Sequence, residues 1–242
     1  MITQSLTRIG ALLDTPAQYS SSIANVALNA EYAGVPDIFL RPNRNASGNS
    51  ICTLVQSLRD IVALPITVEF DSASVEQACA CIKAGADRIV VSTSALVEPD
   101  ILSQLSDEVG RRSLVIGIET KRIRGREMIV TPEGASTGLP VFGWLGRAFQ
   151  LGADGILLRG EEAQDAELLF QIANEFPASV AVAAGSVSPS RCVELADAGC
   201  NEIYVNVSGN TSATTVREWS ACMNSYTSAL PGEEASSVRS CI

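Results

Sequence analysis

Eight short apolar runs recur along the chain, each followed by a stretch of helical periodicity, and this alternation constrains the fold more than any other feature. The runs are RIGALLD (8–14), DIFLR (37–41), ITVEF (66–70), RIVVS (88–92), LVIGIE (114–119), GILLR (155–159), VAVAA (180–184) and EIYVN (202–206). Strands apolar on both faces and separated by helices belong to a parallel sheet that is covered on its outside. Eight such units predict an α/β fold, the (β/α)8 TIM barrel, as one domain over residues 1–223. The small, polar stretch 224–242 (NSYTSALPGEEASSVRSCI from Asn224) is expected to be a flexible tail.

The chain also repeats itself. Thr67–Ala95 aligns without a gap on Ala181–Gly209, at a constant offset of 114 residues, with 8 of 29 positions identical. Chance would give about two at ordinary residue frequencies. AGVPDIFLR matches LGADGILLR, which sets Arg41 opposite Arg159, and IGALLDT roughly matches VIGIETK, which sets Asp14 opposite Glu119. Any barrel repeats βα units, but an ungapped match of this length predicts duplicated half-barrels, about 1–111 and 112–223.

Composition narrows the partners. With 17 basic and 27 acidic residues the net charge is −10, which argues against nucleic acid or an anionic membrane surface. Local positive charge can still bind a small anion. The seven cysteines are odd in number, and Cys79 and Cys81 point to different helix faces, so they read as small buried hydrophobes in a reducing compartment. The chain has no histidine, which argues against zinc, and nothing in it points to a cofactor. No charged-then-apolar leader and no apolar run near twenty residues is present, so a soluble cytoplasmic protein is expected.

In such a barrel the chemistry is built at the carboxyl ends of the strands. The residues there are Asp14, Arg41, Glu69 and Asp71, Ser92 and Thr93, Glu119, Arg159, Gly185 and Ser186, and Asn206 and Ser208. Asp14 and Glu119 close strands one and five, on opposite sides of the mouth, an arrangement suited to acid–base work. Taken alone, each could equally cap a helix or pair with an arginine. Gly185–Ser186 before SPSR, with Asn206 and Ser208, could present backbone N–H groups to an anion. Arg41 and Arg159 are either anion clamps or neutralising partners for Glu69, Asp71 and Glu119. The run Lys121, Arg122, Arg124, Arg126 reads as a solvated loop face.

RIGALLD, IKAGADRIVVSTSALVEPDIL, VIGIETKR followed by STG, LGADGILL and VAAGSVSPSRCVELADAG together resemble the histidine-biosynthesis barrels over about residues 6–220. The likeness is to the cyclase subunit of imidazole glycerol phosphate synthase, with the phosphoribosyl isomerase as sister. It implies that Asp14 and Glu119 hold the places of the catalytic acid and base. It further implies two phosphate sites, one at Gly185, Ser186, Asn206 and Ser208 and one near Ser92 and Thr93. A glutaminase subunit is the family's partner, met by a ring of charges for which Arg8, Asp37, Arg88 and Gly155 hold the matching places.

The chain departs from that pattern. Glycines after strand three are replaced by Glu69-Phe70-Asp71, which repel a phosphate dianion unless a cation intervenes. The long basic loop after strand one shrinks to DTPAQYSSSIANVA, RGEEAQDAE replaces the acidic glycine-containing loop after strand six, and Glu119 stands where the family has aspartate. Three functions follow. The first is a diverged enzyme that cyclises or isomerises a small phosphorylated or anionic sugar- or amine-derived substrate. The second is the unmodified cyclase activity, and the third is an inactive barrel that binds a ligand or a partner.

Overall fold

The computed structural model describes residues 7–15, 21–43, 46–70 and 74–207, together with Glu218 and Ala221. Eight parallel strands follow one another around a closed barrel: β1 (Arg8–Asp14), β2 (Ile38–Arg41), β3 (Ile66–Glu69), β4 (Arg88–Val91), β5 (Leu114–Ile123), β8 (Gly155–Arg159), β9 (Ser179–Gly185) and β10 (Glu202–Asn206). β10 pairs with β1, and β5 joins β4 on one edge to β8 on the other. The connections carry α1 (Ser21–Tyr32), α2 (Gly48–Arg59), α3 (Val75–Lys83), α4 (Thr93–Val97), α5 (Ile101–Val109), α6 (Val141–Gln150), α7 (Ala166–Glu175) and α8 (Pro189–Asp197). The chain is a (β/α)8 barrel, and each expected strand is present. The expected tail, Asp71 and Ser208 lie outside the described residues.

Strand alternation builds two cores. Leu12, Phe39, Val90, Val115, Leu157, Ala181, Ala183 and Tyr204 point inward and fill the barrel. Their sequence neighbours, among them Ala11, Leu13, Ile38, Leu40, Ile89 and Ile116, point outward against the helices. Phe39 and Tyr204 pack ring against ring, with centroids 5.1 Å apart. Position 10 shares this inward parity and is glycine because nothing larger fits: a Cβ there would overlap the Asp37 carboxylate and the Tyr204 ring. Gly10→Ala is therefore expected to cost about 3 kcal/mol by overpacking, read as a lowered urea midpoint at unchanged slope.

Helix entry is set by side-chain caps. Ser47, Ser74, Asp165 and Ser188 each accept a backbone N–H of the first turn of α2, α3, α7 and α8. Positions 114 residues apart make equivalent contacts. Ile66 N donates to Asp87 Oδ2 and Val180 N to Asn201 Oδ1, both at 2.8 Å.

Strand five departs from expectation. It does not stop at Glu119 but runs on to Ile123 and folds back as an antiparallel arm of β6 (Arg126–Val130) and β7 (Ser136–Pro140). The reversal uses Arg124 and Gly125, with φ of 51° and 77°, as a two-residue hairpin turn requires. The basic run is therefore strand and turn rather than loop. Lys121 and Arg122 are exposed, and Arg122 pairs with Glu127 and, at 3.5 Å, with Asp165.

Candidate active site

The same two-residue period that fills the barrel carries its polar ends. Two positions beyond inward Leu12, Phe39 and Leu157 stand Asp14, Arg41 and Arg159, and Glu69 follows inward Thr67. With Glu119 they line a cavity of about 660 Å3 at the carboxyl ends of β1, β2, β3, β5 and β8. The lining continues over Asn43, Ile51, Phe70 and Gln77 toward α2 and α3.

Each expected acid faces an arginine across one step of the sheet. Asp14 is in register with Arg41, whose Nε and Nη2 donate to Oδ1 at 2.6 Å and Oδ2 at 2.9 Å, a two-pronged pair. Glu119 is in register with Arg159, whose Nε lies 3.7 Å from Glu119 Oε1. Arg159 Nη1 also contacts Glu69 Oε1. The environments differ: the Asp14 and Arg41 side chains are 51% and 37% exposed, those of Glu69 and Arg159 5% and 8%. Arg159 thus neutralises Glu69 and Glu119, while Arg41 pairs with Asp14 instead of with those acids. The reason is stagger: β1 and β2 end level, so Arg41 meets Asp14 before any residue of β3.

The remaining site residues lie elsewhere on the rim. Gly185, at φ 65°, follows a register shift between β9 and β10, and a Cβ on it would stand 3.7 Å from Asn206 Nδ2. Ser186 and Asn206 are exposed beside it, and Gln164 Nε2 donates to Ala184 O at 3.1 Å. Ser92 is buried as the first flank of the short α4, and Thr93 opens that helix half-buried.

A second polar cluster fills the amino-terminal end. Glu202 accepts Arg88 Nη1 at 3.0 Å and Nη2 at 2.6 Å, accepts Tyr204 OH at 2.9 Å, and contacts Arg8. Asp37 is 1% exposed, with the Arg8 and Arg88 guanidiniums 3.9 and 4.0 Å from its carboxyl. Burial first, and the neighbouring Glu202 charge second, push Asp37 up to about 6 against the pull of both arginines. Burial also raises Glu202, but its hydrogen bonds and charge contact with Arg88 outweigh that and hold it below the usual range. Glu202 and Tyr204 escaped the sequence reading. The repeat offset of 114 sets Glu202 opposite Arg88 and is a signal for it, whereas Tyr204 falls opposite Val90 and carries no such signal.

The closed ring of eight parallel strands with helices between them defines a protein of the (β/α)8-barrel class. The family model described as "Histidine biosynthesis protein" matches residues 18–163, and the chain belongs to that family. Relatives include imidazole glycerol phosphate synthase subunit HisF of Streptomyces coelicolor, 28% identical over 168 residues covering 65% of this chain and 67% of the relative. HisF of Bifidobacterium longum is 32% identical over 149 residues, covering 57% and 58%, and that of Cytophaga hutchinsonii 29% over 132 residues, covering 54% and 52%. The matches span between about half and two thirds of the relatives' length. Among the described residues no helix is long and apolar enough to cross a membrane.

Proposed function

We propose that the chain is a diverged enzyme of this family that moves protons on a compact anionic sugar- or amine-derived substrate in a cyclisation or isomerisation. The observation that carries this reading is that Asp14 and Glu119, from β1 and β5, open onto one cavity. Charge balance distinguishes their parts. If Glu119 takes up a proton, Arg159 keeps Glu69 as its counter-ion, so Glu119 can carry the proton without leaving a buried cation unmatched. Asp14, half in water, is the acid of the pair that stands open to solvent. Gly185 and Ser186, with Asn206, offer the anion a backbone seat on the opposite rim, with Ser92 and Thr93 a subordinate one.

Two other readings stay in play. Arginines resting on both acids suit an inactive barrel that binds a ligand or a partner. Authentic cyclase activity with a glutaminase subunit is set back by buried Glu69 where a phosphate would approach, and by Gly155 and Glu202 at the amino-terminal end. Incubation with phosphorylated amino and keto sugars in D2O, followed by proton NMR, separates the three. Deuterium uptake by a singly phosphorylated compound is expected, falling at least about 100-fold in Asp14→Asn. Binding without exchange would assign the inactive barrel. Turnover of the family's doubly phosphorylated substrate with ammonium would assign the cyclase.

A further inference from the structure

We infer that Arg41 is the anion receptor of the cavity and that its ligand is a compact zwitterion, whose anionic group takes the Arg41 fork while its ammonium group replaces Arg41 at Asp14. The inference rests on the proposed small-molecule site at this mouth and moves the ligand's anionic group from the Gly185 seat on the opposite rim to Arg41, which lines the cavity that Asp14 and Glu119 share.

The two arginines occupy similar strand ends but differ in availability. Arg159 is 8% exposed and held between buried Glu69 and Glu119, so withdrawing it would strand a carboxylate out of water. Arg41 is 37% exposed, and its partner Asp14 is 51% exposed, so water screens the pair and readily replaces either member. The edge of Arg41 that grips Asp14, Nε with Nη2, is the edge that would grip a ligand carboxylate or phosphoryl group. Arg41 therefore exchanges partners and Arg159 does not.

Charge determines what the ligand must bring. Among the described residues lining the cavity, Asp14, Glu69 and Glu119 stand against Arg41 and Arg159, three negative charges against two positive. An anion that takes Arg41 leaves Asp14 without its cation and makes the mouth more negative. A ligand that returns a positive charge to Asp14 restores the original balance, whereas a dianion adds to the repulsion. On the receptor side the lining runs over Gly48 and Ile51 in the first turn of α2, which carries no acidic residue, so the surroundings of Arg41 do not oppose an anion.

The test titrates the full chain with γ-aminobutyrate, O-phosphoethanolamine, butyrate and inorganic phosphate, followed by amide chemical shifts. Each zwitterion is expected to bind about 10-fold more tightly than the simple anion of its class, and the better of the two identifies carboxylate or phosphomonoester as the anionic group. Arg41→Gln should weaken both zwitterions at least about 10-fold, and Arg41→Lys should restore part of the loss. Asp14→Asn should erase the advantage of γ-aminobutyrate over butyrate, and butyrate itself should bind more tightly because no carboxylate then competes for Arg41. Unchanged affinity in Arg41→Gln, simple anions binding as well as zwitterions, or no binding by any probe would overturn the inference. Phosphate binding that survives Arg41→Gln but is lost in Gly185→Val would overturn it while leaving the proposed function standing.

Discussion

Arg159→Met should lower the free energy of unfolding by about 3–5 kcal/mol at neutral pH, because it removes the counter-ion of a buried carboxylate and leaves the other charge in place. Glu69 is 5% exposed and Glu119 more open, so the loss falls mainly on Glu69. Methionine keeps much of the arginine's volume, which separates lost charge from lost packing. The check is a double-mutant cycle read by urea unfolding. Glu69→Leu with Arg159→Met should come within about 1 kcal/mol of wild type, since replacing both members of a buried ion pair by apolar groups is often neutral. If the double variant were as unstable as Arg159→Met, packing rather than charge would be the cause.

The second large effect is a pH dependence at the other end of the barrel. Asp37 sits at about 6 in the folded protein against an ordinary value of 3.8. Its folded value is the higher one, so the native state takes up a proton. The associated stability is fully present below pH 3.8 and is lost as pH rises to about 6. The loss amounts to about 3 kcal/mol. Glu202 acts in the opposite sense: held low, it contributes stability that is present above its unfolded value and fades as pH falls through the folded one. The two arms overlap in the wild type, and Asp37→Asn isolates one of them. The stability of wild type minus that of Asp37→Asn should fall by about 2 kcal/mol between pH 4 and 7 and stay level above. A flat difference would mean that Arg8 and Arg88 already keep Asp37 ionised throughout.

How far the sequence foretold these sites follows from the kind of information each needs. Apolar runs such as ITVE and IFLR announce strands buried on both faces, and the eight-strand barrel follows from them alone. The arm beyond Glu119 does not announce itself, because RIRGRE is largely polar, with its arginines exposed, and its structure comes from the positive φ of Arg124 and Gly125. Strand ends placed Asp14, Arg41, Glu69, Glu119 and Arg159 at one mouth, since each shares the inward parity of its strand. Which arginine meets which acid depends on the stagger between strands, and no single strand encodes that. The amino-terminal cluster was half legible: Arg8, Asp37 and Arg88 were marked only by the resemblance to the family's ring of charges, while Glu202 was masked by the apolar run that follows it.

Glu119 stands where β5 is bonded on both edges, opposite Arg159 of β8 on one side and Val130 of the antiparallel arm on the other. Its main chain is thereby clamped like the root of a lever, and only the side-chain torsions remain to move the carboxyl. At such a mount the reach of the acid is set by the number of methylenes. Glutamate in place of aspartate becomes a change of tool length on a fixed holder, and Arg159 stands within that longer reach.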